Sequence, residues 1–169
     1  VLMQNCITNV DEKHHMDMTE QEKKDFYDSI DHGYIKENFR ATIDITNGIR
    51  IYFPDDVTEE FINLLKSTCI NRISCGIQTL NQKSLDFVKR RGTVEDNLKA
   101  LKLLSSKWNK NFSVDLICGL PYETEQSFFD SLNTIISFNP NHISMYSLTF
   151  EENTPITKLL NSGSFEYDF

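Results

Sequence analysis

The sequence has few cysteines, and none of them forms a Cys-x-x-Cys pair. Four occur in 169 residues, at Cys6, Cys69, Cys75 and Cys118. Their spacing excludes zinc ribbons and supplies no cysteine triplet for an iron–sulfur cluster. Because few, scattered cysteines are typical of reducing compartments, we expect a cytoplasmic protein with free thiols.

Long apolar runs and an excess of basic charge are also absent. No stretch approaches the roughly 20 apolar residues that span a bilayer, and the start of the chain lacks the basic and apolar regions of a signal peptide. The net charge of −8, from 17 Lys and Arg against 25 Asp and Glu, argues against a nucleic-acid partner. Position 1 is not Met, so we expect a fragment of a longer protein.

The first 40 residues are predicted to form a diverged polar and helical segment, separate from a domain over 41–169. Residues 11–15 (DEKHH) place two histidines beside two acids. Adjacent side chains point apart, so a solvated loop is favoured over a metal site. Thr19 and Glu22 have the spacing of a capping box, which predicts a helix over 19–31.

The region that follows predicts a hairpin and then a helix. Residues 41–46 and 49–53 alternate in polarity around Asn47-Gly48, a pair that favours a tight hairpin turn. After Pro54, Asp56 is the predicted N-cap of a helix, with Glu59 reaching back to it.

Strands and helices then alternate, which indicates an α/β fold. The predicted strands are 72–78, 112–118 and 142–149, and the predicted helices are 81–90, 94–107 (capped by Thr93) and 125–138 (capped by Thr124). Largely apolar strands separated by helices predict a parallel sheet with right-handed crossovers.

Polar residues occupy the carboxyl ends of these strands, where α/β proteins bind ligands. Gln78 and Thr149 end their strands, and Asp115 interrupts an apolar one. The alternatives are a structural carboxylate at Asp115, a hydrogen-bonded loop entry at Gln78, and a solvated helix end for Arg90 and Arg91.

Three ordered segments resemble the radical S-adenosylmethionine family. Residues 71–80 (NRISCGIQTL) are similar to its NRISIGVQSF segment, 114–121 (VDLICGLP) to xDLIYGLP, and 142–155 to HISWYQLTxExNTP. The resemblance covers residues 54–160 and is to the branch of heme chaperones and oxygen-independent coproporphyrinogen III oxidases. The last segment favours the heme chaperone side.

The resemblance implies a partial TIM-like (β/α) barrel with parallel strands, its N-terminal strands missing or diverged. The implied cofactors are S-adenosylmethionine and a [4Fe–4S] cluster, with heme as a further ligand. By position, Asp115 and Gln78 match ribose contacts, and Arg90, twelve residues after Gln78, matches a contact to the α-carboxylate. Thr149 matches a backbone contact to the adenosine end.

The family pattern is broken at several points. The sequence has no Cys-x-x-x-Cys-x-x-Cys triplet and no Gly-Gly-Gly-Thr-Pro segment. Ile51 stands where the family carries Glu, three residues before Pro54, and Gly92 stands where it often has His. We therefore expect no catalytic and no metal-ligating residue in this chain.

Three hypotheses follow. The first is a fragment or degenerate member of this branch, which serves heme and porphyrin metabolism. The second is a non-catalytic module that binds a nucleotide, heme or a protein partner, and the third is an unrelated barrel enzyme with Asp115 as an acid or base. No heme ligand is favoured among the four histidines, which are His14, His15, His32 and His142. Open sheet edges predict that missing N-terminal strands or an oligomer partner complete the sheet.

Overall fold

The computed structural model describes residues 19–28, 41–43, 48–68, 70–150, 152 and 154–163. The helices are α1 (Glu20–Asp28), α2 (Glu59–Lys66), α3 (Gln82–Phe87), α4 (Val94–Lys107), α5 (Glu125–Ser137) and α6 (Pro155–Asn161). The strands are β1 (Ala41–Ile43), β2 (Gly48–Ile51), β3 (Arg72–Gln78), β4 (Asn111–Cys118) and β5 (His142–Ser147). Residues 11–15, the last predicted residues of the first helix (29–31), His32 and Asn47 lie outside the described residues.

The strands form a sheet in the order β1-β2-β3-β4-β5. β1 pairs antiparallel with β2, as the predicted hairpin requires, and the remaining pairs are parallel. The tight turn predicted at Asn47-Gly48 is wrong, because Ile43 pairs with Ile49 and Gly48 belongs to β2. The parallel α/β prediction is therefore confirmed, although β5 ends at Ser147 rather than at Thr149. Since strands joined through helices run parallel, the carboxyl ends of β2 to β5 meet at one edge.

Helix caps explain where several helices begin. Thr19 and Glu22 form the predicted capping box, with the Glu22 amide donating to the Thr19 hydroxyl oxygen at 3.2 Å. Thr93 and Thr124 cap α4 and α5 as predicted.

The predicted N-cap at Asp56 is wrong. Asp56 ends a short 3₁₀ turn, Pro54–Asp56, which the fixed φ of proline favours. The cap of α2 is Thr58, whose hydroxyl oxygen accepts a hydrogen bond from the Phe61 amide at 3.1 Å.

The hydrophobic core lies between one face of the sheet and the helices. Strand residues alternate, so that every second side chain joins this core. The fully buried large side chains of this core include Ile49, Ile51, Ile73 and Leu116 from the strands and Ile62, Leu65, Leu101, Leu104 and Ile135 from the helices. The opposite face carries polar side chains. Among the described helices, none is long and apolar enough to cross a membrane.

Candidate functional site

A cavity of about 220 Å³ opens at the carboxyl ends of β2 to β5. Its lining consists of Arg50, Ile51, Tyr52, Gly76, Gln78, Arg90, Asp115, Ile117 and Tyr146. Three of the four predicted binding residues, Gln78, Arg90 and Asp115, therefore come together, although they lie on different segments. This is the edge at which parallel α/β sheets bind ligands.

Gly76 keeps the floor of the cavity open. The register of β3 against β4 shifts between Gly76 and Gln78, and Gln78 has a positive φ of 69°. A Cβ at Gly76 would lie 2.6 Å from Gln78 Nε2 and 3.1 Å from an Arg90 nitrogen. The missing side chain is thus the space into which the Gln78 amide and the Arg90 guanidinium fit.

Asp115 lies on the polar face of β4. Its side chain is 9% exposed and accepts a hydrogen bond from the Ser74 hydroxyl at 3.0 Å through Oδ2. Because a buried carboxylate needs hydrogen-bond partners, Ser74 holds it in the sheet. The same contact gives Asp115 the structural role that the sequence analysis left open, alongside its place in the cavity wall.

Arg90 follows α3 and ties two strands together. One of its terminal nitrogens donates to the carbonyl oxygen of Tyr52 and to that of Gly76, the latter at 3.3 Å. Its guanidinium carbon lies 4.9 Å from the centroid of the Phe53 ring, and its Nε is buried without a hydrogen-bond partner. Burial lowers the pKa of Arg90, and nearby Cys75 and Asp55 oppose this shift.

Thr149 does not join the other predicted residues. It lies two residues beyond the end of β5, is exposed, and is absent from the cavity lining. β5 stops at Ser147, and the Leu148 amide then donates to the Cys118 carbonyl at 2.9 Å. On this strand it is Tyr146, 51% exposed, that lines the cavity.

Ile51 and Arg50 face opposite sides of β2. Ile51 is 0% exposed and packs in the hydrophobic core, so no charged group lies at this position. Arg50 is exposed and falls on the polar face with the cavity. The alternation of Ile49, Arg50 and Ile51 is the sequence signal for this placement.

Glu123 is a second residue that sequence reasoning missed. It is 6% exposed, and its Oε1 accepts a hydrogen bond from the Thr79 hydroxyl at 2.5 Å. Its Oε2 is buried with no partner. Burial raises the pKa of Glu123, although hydrogen bonds with Thr79 and Leu120 oppose the shift. The contact joins the loop after β3 to the loop after β4.

The described residues do not fit a [4Fe–4S] cluster. Cys75 and Cys118 are free thiols on different strands, and burial with the nearby Asp115 raises the pKa of Cys75 to about 12. Cluster ligands are thiolates, so a thiol held protonated in the core is unsuited to iron. Within the described part, no group of three or more His, Cys, Asp or Glu has the geometry to hold a metal ion.

The cavity lining suits a small polar ligand better than a cluster. It offers the carboxylate of Asp115, the amide of Gln78 and the guanidinium groups of Arg50 and Arg90. A ribose diol donates to carboxylate or amide oxygens, and a carboxylate pairs with a guanidinium. The arrangement can therefore hold a ligand that carries both groups.

Comparison with known proteins identifies the family. The model of the Radical SAM superfamily matches residues 11–135. Among curated proteins, the heme chaperone HemW of Buchnera aphidicola subsp. Schizaphis graminum is 36% identical over 72% of this chain and 33% of its own length. HemW of Bacillus subtilis is 33% identical over 65% of this chain and 29% of its own. The chain thus spans about a third of the length of these relatives.

Other similarities lie in the same branch and in the fold. The oxygen-independent coproporphyrinogen-III oxidase-like protein HemZ of Bacillus subtilis is 30% identical over 62% of this chain and 21% of its own length. The structure of Elp3 from Methanocaldococcus infernus aligns with 70% of this chain and 28% of its own, at 25% identity and a TM-score of 0.58. Coproporphyrinogen III oxidase (HemN) from Escherichia coli aligns with 96% of this chain and 44% of its own, at 18% identity and a TM-score of 0.55. The fold is a partial (β/α) barrel, and the chain belongs to the radical SAM superfamily.

Proposed function

We propose that this chain is the cofactor-binding part of a heme chaperone-like radical SAM protein and holds S-adenosylmethionine in the cavity. The observation that carries this proposal is the convergence of Gln78, Arg90 and Asp115 on one space. Asp115 and Gln78 accept hydrogen bonds from the ribose diol, and Arg90 adds positive charge near the α-carboxylate. In this family the cofactor supplies radical chemistry together with a reduced [4Fe–4S] cluster.

The size of the cavity limits what it encloses. A volume of about 220 Å³ is below the roughly 300–1,000 Å³ of typical small-molecule pockets. We infer that the cavity holds part of the ligand, with the rest projecting past the half-exposed Tyr146. Heme is larger still, so a cavity of this size does not enclose it. Among the described residues the histidine is His142, which starts β5. It lies four residues, or about 13 Å at 3.3 Å per residue, before the cavity residue Tyr146.

We further propose that the chain by itself does not perform radical catalysis. The sequence lacks the cysteine triplet, and the described cysteines do not form a cluster site. Ile51 adds to this inference, because a core isoleucine cannot replace the charge of the family's Glu. The free thiols favour a reducing compartment, and we place the protein in the cytoplasm.

Asp115→Ala tests the proposed pocket by isothermal titration calorimetry with S-adenosylmethionine. The wild type is expected to bind weakly, and the variant about tenfold or more weaker, because a hydrogen bond to a charged group is worth roughly 1.5–3 kcal/mol. Asp115→Asn, which keeps the acceptor for Ser74, should lose less affinity. Asp130→Ala, on the exposed face of α5, is the matched control.

If neither the wild type nor Asp115→Ala produced heat, the pocket proposal would be wrong and Asp115 would keep its structural role alone. Thermal unfolding of each variant checks that the fold is retained.

A non-catalytic module that holds a nucleotide is the second candidate, favoured by the misfit of the cysteines. It predicts that an adenine nucleotide binds more tightly than S-adenosylmethionine in the same titrations. The family assignment removes the third hypothesis, an unrelated barrel enzyme.

A further inference from the structure

Arg50 occupies the cavity wall on the side opposite Asp115. It lies in the middle of β2, paired with Ser74 of β3, the residue that donates to Asp115. Its neighbours Ile49 and Ile51 are 1% and 0% exposed and belong to the core. Because successive strand side chains point to opposite faces, the Arg50 side chain lies on the polar face with the cavity.

The three arginines near the cavity differ in their contacts. Arg91 forms an ion pair with Asp55, and one of its terminal nitrogens lies 3.5 Å from Asp56 Oδ1. Arg90 donates to the carbonyls of Tyr52 and Gly76. Among the described residues, the Arg50 side chain has no hydrogen bond and no ion pair, and the residue is exposed. Arg50 is therefore the cavity cation that is left for a ligand.

The charge of the lining favours a ligand that presents an anionic group to Arg50. The cavity wall carries two guanidinium groups, Arg50 and Arg90, against the single carboxylate of Asp115, in a chain whose net charge is −8. Arg90 is held by its two carbonyl contacts and has a buried Nε, so its guanidinium has little freedom to turn towards a ligand. Arg50 keeps its planar fork of donors, which matches a carboxylate in bidentate geometry.

We propose that Arg50 binds the α-carboxylate of the ligand and selects adenosine compounds that carry this group. The inference rests on the proposed function, since it concerns the same cavity. It assigns a role to a residue that the family resemblance leaves without one. Arg90 then positions the cavity wall and adds charge, while Arg50 makes the discriminating contact.

The test compares two ligands that share the adenosine, the sulfonium and the amino group but differ in the carboxylate. S-adenosylmethionine carries it, and decarboxylated S-adenosylmethionine does not. In calorimetric titrations, Arg50→Gln should bind S-adenosylmethionine about tenfold or more weakly than the wild type, without a loss of affinity for the decarboxylated compound. Arg50→Lys should retain part of the preference, because it keeps the charge but not the fork. Lys102→Gln, on the exposed face of α4, changes the net charge equally and should bind both ligands as the wild type does.

The remaining outcomes distinguish a failure of the Arg50 contact from a failure of the proposed function. Equal losses for both ligands in Arg50→Gln, or no loss for either, would overturn the carboxylate contact while leaving the adenosine pocket in place. A wild type that binds neither ligand would overturn the proposed function as well as this inference. Arg50 is exposed, and a thermal unfolding curve that matches the wild type shows that any change in affinity is local.

Discussion

Glu123 is a buried carboxyl group whose ionisation opposes folding. Its folded-state pKa is raised by burial, and its Oε2 has no hydrogen-bond partner. A carboxyl group with a raised folded pKa favours folding when protonated. The stability that protonated Glu123 contributes is therefore fully present below the pKa of the unfolded state, and it is lost as the pH rises through the pKa of the folded state.

We expect Glu123→Gln to stabilise the protein relative to the wild type at pH 8 and to lose this advantage at pH 4. The difference at pH 8 should be on the order of 1 kcal/mol, the scale of an unsatisfied buried polar group. Urea unfolding at both pH values measures it. Glu125→Gln, at an exposed site in the first turn of α5, is the control. A Glu123→Gln difference that grew towards acid pH would show that burial does not dominate at this carboxyl group.

Gly76 shows how a single position shapes the site. Its absent side chain leaves the space that the Gln78 amide and the Arg90 guanidinium occupy. Within a strand, glycine lowers stability relative to alanine. Glycine at this position therefore lowers the stability of the strand but leaves the space that the floor of the cavity requires.

At the scale of elements, β5 is the strand with the least cover. It pairs with β4 on one side, and Met145 and Tyr146 are 58% and 51% exposed. On its neighbouring helix α5, Phe129 and Ile136 are also exposed, at 47% and 53%. An edge strand with exposed apolar side chains is a template for pairing with another chain.

We expect the chain to self-associate as its concentration rises, and Met145→Lys to shift it towards monomer. A lysine on an edge strand opposes strand pairing, because its charge would have to be buried. Sedimentation velocity over a range of concentrations measures the shift. Ser105→Lys, on the exposed face of α4, carries the same charge away from β5. A wild type that remained monomeric throughout the range would contradict the expectation.

For the whole molecule, the spacing and the burial of the cysteines determine whether a [4Fe–4S] cluster is expected to assemble. The sequence has four cysteines without the triplet spacing, and Cys75 faces the core between the sheet and the helices. A thiol whose pKa is about 12 stays protonated at neutral pH. We therefore expect anaerobic reconstitution with iron and sulfide to give well below one [4Fe–4S] cluster per chain.

Visible absorbance and iron and sulfide content per chain measure this outcome. A relative that carries the Cys-x-x-x-Cys-x-x-Cys triplet, treated in parallel, shows that the conditions load a competent protein. A stoichiometric cluster on this chain would overturn the proposal that it is non-catalytic by itself. It would also require ligands from cysteines other than a conventional triplet.

Much of the fold followed from local pattern. Alternation over residues 41–46 and 49–53 predicted the antiparallel pair of β1 and β2, although not its register, and Thr93 and Thr124 marked the starts of α4 and α5. The Asp56 cap was wrong because Pro54 draws the next residues into a 3₁₀ turn, so that Thr58 becomes the first residue free to cap. Competing caps two residues apart cannot be separated without the backbone geometry.

The candidate site was predicted in part. Gln78, Arg90 and Asp115 converge as expected, and their roles towards a ligand remain proposals. Thr149 lies outside the cavity lining because β5 ends before it reaches that position. Arg50, Tyr146 and Glu123 were missed, since each depends on which strand or loop is its neighbour in space.

The sequence alone determined the element types, the family resemblance and the lack of a cysteine triplet. Each of these depends on residues close together in the chain, through periodicity, capping and motif spacing. The tertiary structure decided which side chains share a cavity, which arginine of the cavity makes no side-chain contact to a polar group among the described residues, and which buried carboxyl group keeps one oxygen without a hydrogen bond. Those properties depend on strand order, register and burial, which bring Arg50, Gly76 and Asp115 to one face although up to 65 residues separate them.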